Sequence, residues 1–162
     1  MPTGTLSERI PASSADVFAL LHDYPRRLEW DTLLRAAHLE PAYPQAALGA
    51  ISVCAGKWHL GGLALRTKYV AFHPPLLAAV QMLNRPLFFE SFAASIRHED
   101  LSPTESSITY RFTFQSRPRW LRFLLHPLMA WIFRWETGKR LRALRKFLET
   151  KRAGSVGAAP AT

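Results

Sequence analysis

Glu90 is the side chain with the most unusual setting in this sequence. On a strand through Phe88 to Glu99 it shares its alternation with Phe88, Phe92 and Ile96, which turns it inward with them. A carboxylate in apolar surroundings has a raised pKa and can act as an acid or a base. Tyr69, Tyr110 and His59 are the polar groups that could join it at a ligand, and Glu90, His59 and Tyr69 are the candidate catalytic residues. A plainer reading stands beside this one: Glu90 follows Arg85-Pro86 near a strand end, where it would be solvated or paired with Arg85. Other chemistries lack their motifs. The six histidines show no HxH, HxxxH or HExxH spacing, and the single cysteine, Cys54, supplies neither an internal disulfide nor a thiolate metal framework. There is no GxSxG, no Walker A sequence and no GxGxxG. The sequence therefore implies no metal and no cofactor.

Thr5 to Ile10 reads as a short strand with Leu6 and Ile10 on one face. In PASSADVFALLHD, Ser13 can cap a helix with Asp16 three residues on, and Val17, Phe18, Leu20 and Leu21 make its buried side. Pro25 falls at the first turn of a second short helix, PRRLEWDTLL, whose apolar members are Leu28, Trp30, Leu33 and Leu34. From about residue 35 to 116 the segments are short, β-branched or aromatic, and separated by turn residues such as His73-Pro74-Pro75 and Arg85-Pro86. Leu65, Thr67, Tyr69 and Ala71 oppose Arg66 and Lys68. Phe92, Ala94 and Ile96 oppose Ser95, Arg97 and Glu99, and Ile108, Tyr110, Phe112 and Phe114 oppose Thr109, Arg111 and Thr113. Half-polar strands in succession predict an antiparallel sheet with one wet face. Its apolar face needs a cover, and the C-terminal run provides one. Ala130, Phe133, Thr137, Leu141, Leu144 and Leu148 recur at steps of three and four, a single stripe on a long helix.

At 162 residues, with 48% hydrophobic content, the chain fits one domain over 1–152, followed by a small, uncharged tail, 153–162, expected to be flexible. The opening MPTGTLSERI has no apolar signal core, and no uncharged apolar run reaches about 18 residues. With a lone cysteine, a reducing cytoplasm is the expected location.

The order β-α-α, about six strands, then a long terminal helix resembles the START-type helix-grip superfamily, also called SRPBCC or polyketide cyclase/dehydrase-like. Three places carry the resemblance: IPASSADVFALLHDYPRRLEW, the strand TKYVAFHPP with its double proline, and the Leu-rich basic helix ending LRALRKFLE. It implies an α+β helix-grip fold, a strongly curved antiparallel sheet of about seven strands wrapped around the C-terminal helix. It also implies a cavity between the two that holds an apolar or amphipathic small molecule. On the alternation above, Leu65, Tyr69, Phe88, Phe92, Tyr110, Phe112 and Phe114 would line that cavity, with Met129 and Phe133 from the helix. These aromatics could equally fill a plain core. Two functions follow from the resemblance: a carrier or binding module for a lipid-like or aromatic molecule, and a cyclase or dehydratase using pocket Glu, His and Tyr groups.

The segment 117–152 holds eleven Lys and Arg against Glu136 and Glu149, which equals the +9 of the whole chain. At ~100° per residue, Leu128, Trp131, Ile132 and Trp135 fall away from the sheet-facing stripe, and Lys139 and Arg142 continue that side. Three covers for this face are open: an anionic membrane surface, a second copy of the chain, or the residues Trp120 to Leu125 folded back beside the helix. Nucleic acid is not the expected partner despite a pI of about 10.4, because no RNA- or DNA-binding motif accompanies the basic residues.

Overall fold

The computed structural model describes residues 1–57 and 63–156, with side chains through 154. Seven strands form one antiparallel sheet: β1 (Thr3–Ile10), β2 (Leu34–Leu39), β3 (Ile51–Gly56), β4 (Ala64–His73), β5 (Leu77–Met82), β6 (Phe89–Ser102) and β7 (Glu105–Ser116). Their order across the sheet is β1-β7-β6-β5-β4-β3-β2. Strands β1 and β2, consecutive along the chain, thus lie at opposite edges. Helices α1 (Ser14–His22) and α2 (Arg27–Trp30) carry the chain from one edge to the other. The long helix α3 (Arg122–Val156) packs on β1, β7 and α2. This is the helix grip that the sequence resemblance implies.

Local chemistry explains the joints. Ser13 Oγ accepts the Asp16 amide at the start of α1 and donates to the Asp16 carboxylate. Asp100 of β6 accepts from both the amide and the hydroxyl of Ser14, at 2.7 and 2.9 Å, which ties α1 to the sheet. Along the α3 stripe, Leu141 and Leu144 lie in the core beside Ile10, Val17 and Leu21, with Ala130, Phe133 and Leu148 half-buried against it. Withdrawing one such leucine from water contributes about 1.5–3 kcal/mol. Gly4 of β1 lies opposite Phe112, whose ring occupies the space where a side chain at position 4 would stand.

Three expectations change. The second helix is a single turn rather than a run to Leu34, because the Asp31 carboxylate takes the Leu33 amide and Leu34 begins β2. Its expected apolar member Leu28 is exposed. Trp120 to Leu125 do not fold back: a 3-10 turn at Arg119–Leu121 runs straight into α3. At the other end α3 continues to Val156, inside the segment expected as a tail, and 157–162 lie outside the described residues. No described helix is long and apolar enough to cross a membrane.

Candidate functional site

Between sheet and helices lies a cavity of about 670 Å³, within the range that holds small organic ligands. Most of its wall is apolar: Leu65, Val80, Phe92 and Ile96 from the sheet, and Met129 and Phe133 from α3. Phe133 stacks on Phe92 with centroids 5.5 Å apart and meets Phe89 edge-on at 5.7 Å.

Polar groups gather where the α1–α2 connection faces β3 and β4. The hydroxyls of Tyr24 and Tyr69 share a hydrogen bond of 2.9 Å, and Ser52 and Thr67, opposite each other on β3 and β4, share another of 2.9 Å. Burial raises the pKa of Tyr24, Tyr69 and Tyr110 and pushes the Cys54 thiol up to about 11. At neutral pH this wall therefore offers neutral hydroxyls and a neutral thiol rather than nucleophilic anions.

An ion cluster adjoins them. Arg27 and Arg140, both on the cavity wall, meet the same oxygen of Asp31: Arg27 Nε donates to it at 2.9 Å, and Arg140 Nε forms an ion pair with it at 2.8 Å. Arg27 also donates to the Leu21 carbonyl, so α1, α2 and α3 meet at this point. The Trp30 ring has both guanidiniums near its face, 4.8 and 5.8 Å from its centroid. Burial raises the pKa of Asp31 while the charge of Arg27 lowers it, and two guanidiniums in contact hold the carboxyl ionised. Two cations thus share one carboxylate at the cavity wall. Glu136, also buried at the wall, has Lys139 at 3.0 Å.

Two buried histidines contribute to the pH dependence of the fold. His22, on the cavity wall, bonds through Nδ1 to the Phe18 carbonyl at 2.8 Å, and burial lowers its pKa to about 4. His98 packs on Phe18 with both ring nitrogens unpartnered among the described residues, and burial lowers it to about 4 as well. The unfolded chain takes up these protons near pH 6.5 and the folded chain near pH 4, so stability falls as pH drops between the two. The loss is roughly 3 kcal/mol for each histidine. Urea unfolding of wild type and His98→Leu across that window checks this. The substitution should flatten the fall in stability across that window, and an unchanged slope would refute the assignment.

The residues singled out from sequence fall into groups. Leu65, Tyr69, Phe88, Phe92, Tyr110, Met129 and Phe133 line the cavity. Phe112 and Phe114 do not; they are fully buried core, packed against Phe133 at 5.3 and 5.6 Å. Glu90 is not on the wall either. The register between β6 and β7 shifts between Phe89 and Ser91, which turns Phe89 inward and leaves Glu90 partly exposed, 3.7 Å from Arg85. His59 lies outside the described residues. Leu128, Trp131, Ile132 and Trp135 border the cavity on its α3 side, with all but Ile132 exposed. Alternation did not single out Tyr24, Arg27, Ser52, Glu136 or Arg140. The one signal available was the spacing of Arg27 and Asp31, four residues apart and so neighbours on a helix turn.

Comparisons with known proteins bear on what this cavity is. No curated protein matches the chain in sequence. The family described as polyketide cyclase / dehydrase and lipid transport matches residues 1–149. The chain belongs to that family. Solved structures share the fold of this chain at low identity. A START superfamily protein from Mycobacterium smegmatis has a TM-score of 0.77 at 9% identity, over 91% of this chain and 97% of that one. XoxI from Bacillus cereus has a TM-score of 0.73 at 16% identity, over 91% and 96%. The Zhui aromatase/cyclase from Streptomyces sp. R1128 has a TM-score of 0.74 at 11% identity, over 91% and 93%. Family membership supports hydrophobic-ligand binding or cyclase-type chemistry in general terms.

Proposed function

We propose that this family member binds one amphipathic small molecule in the cavity, as a carrier or binding module. The apolar body would lie along Phe92, Ile96 and Phe133, and the polar end would meet Tyr24, Tyr69 and Arg27. The supporting observation is the segregation of the wall: hydroxyls and guanidiniums on one side, hydrocarbon on the rest. Two guanidiniums on a single carboxylate favour a ligand whose polar end is acidic, because an anion there offsets buried positive charge. Binding without bond-making is the better-supported reading. His22, the three tyrosines and Cys54 all titrate well away from neutral pH, so none is tuned for acid–base work there.

One feature supports the cyclase or dehydratase alternative: the buried carboxylate of Glu136 at the wall, next to Lys139, could move a proton to or from a bound ligand. It takes the role that the position of Glu90 denies to that residue. Native mass spectrometry of the purified chain tests the binding reading. The expected spectrum shows one small-molecule adduct per chain, released when the protein unfolds. A bare 18.3 kDa chain, even after incubation with a long-chain fatty acid or an aromatic carboxylic acid, would dismiss it.

A further inference from the structure

The rim of the cavity is apolar and exposed on both sides. On α3, Trp131 is 63% exposed and Trp135 52%, their rings stacked at 6.0 Å, with exposed Leu128 beside them. Across the opening, Leu87 and Phe88 are exposed as well, and Phe88 holds φ at 68°, a backbone region uncommon for a residue other than glycine. Nearer the start of α3 the exposure continues: Trp120 is 75% and Phe123 79% exposed. Large aromatic side chains gathered in this way mark a contact surface rather than scattered surface residues.

Charge identifies the partner. Arg119 precedes the aromatic ridge and Arg142 and Lys146 continue it along the same side of α3, while Lys139 sits 4.1 Å over the Trp135 ring. Of the two α3 carboxylates, Glu136 is buried and pairs with Lys139, and Glu149 pairs with Arg145, so neither is paired with Arg119, Arg142 or Lys146. The segment 117–152 carries a charge equal to that of the whole chain, +9. A second copy of the chain seated here would bring this cation-rich helix against its own like charge. We propose that the rim docks on an anionic lipid bilayer, with Trp131 and Trp135 at the interface and the flanking Lys and Arg on headgroups. That placement is what amphipathic basic helices with interfacial tryptophans favour. It turns the cavity opening toward the membrane, so that an amphipathic molecule can pass between the two without crossing water. The docking itself does not depend on what the cavity holds.

Co-sedimentation with vesicles tests it, using phosphatidylcholine alone and phosphatidylcholine mixed equally with phosphatidylglycerol. Wild type should pellet with the anionic vesicles at low salt, release as salt rises, and stay in the supernatant with the neutral ones. Trp131→Ser/Trp135→Ser and Arg142→Glu/Lys146→Glu should each weaken binding on the order of tenfold or more. Arg97→Glu/Arg111→Glu, the same charge change on the outer face of the sheet, should bind nearly as wild type does. Thermal melting confirms that each variant is folded. The proposal is overturned if wild type stays in the supernatant with anionic vesicles at low salt. It is overturned equally if the tryptophan pair changes nothing, or if the sheet-face control weakens binding as much as the helix pair. Light scattering that shows a dimer in wild type but not in the tryptophan variant would assign the face to a second copy instead.

Discussion

Asp31→Ala lowers the stability of the fold by about 3–5 kcal/mol, read as a shift in the urea midpoint. The size follows from what the carboxylate holds. It sits wholly buried between Arg27 and Arg140, and its removal leaves two guanidiniums facing each other with Trp30 as their neighbour. Burying an uncompensated charge costs far more than losing an exposed ion pair, which contributes about 0–1 kcal/mol. The loss also frees the Leu33 amide that ends α2, and it loosens the point where Arg27 reaches the Leu21 carbonyl. Asp31→Asn keeps the shape and removes the charge, so it should recover only a small part of the loss. A midpoint for Asp31→Ala within the range of a surface substitution would show that the cluster is solvated and contributes little.

How much of this was legible beforehand depended on the range of the interaction. Alternation over a few residues placed Phe92, Ile96 and Tyr110 on the inward face, since side chains of a regular strand alternate without exception. The 3–4 spacing of Leu141, Leu144 and Leu148 placed the sheet-facing side of α3 in the same way. Glu90 escaped that logic because a register shift between Phe89 and Ser91 reverses the faces just there. The plainer reading from Arg85-Pro86 near the strand end, pairing with Arg85, is the one the structure shows. Phe112 and Phe114 share the alternation of Tyr110, yet they lie under α3 where Phe133 fills the space, while Tyr110 lines the cavity. Which inward residues meet a void and which meet a helix is set by the path of α3 across the sheet. The polar wall was the least legible part. Arg140 reaches Asp31 from 109 positions away, and Tyr24 finds Tyr69 across 45. Such pairings exist only once the sheet order has put β1 and β2 at opposite edges, with α1 and α2 spanning the gap.

Titration with anilinonaphthalene sulfonate, an apolar fluorescent probe with an anionic end, tests most directly that the space beneath α3 is a binding site. Ala94 of β6 lines the cavity, so Ala94→Trp should fill it from the sheet side. Ala93, the next residue, turns to the outer face and does not line the cavity, which makes Ala93→Trp the control. The larger ring at position 94 costs about 1–3 kcal/mol of stability if it forces its neighbours aside, so folding is checked by melting. Wild type and Ala93→Trp should saturate at one probe per chain, and Ala94→Trp should bind at least about tenfold more weakly, a loss of about 1.4 kcal/mol. Equal saturable binding by a folded Ala94→Trp variant, or none by wild type, would contradict the account.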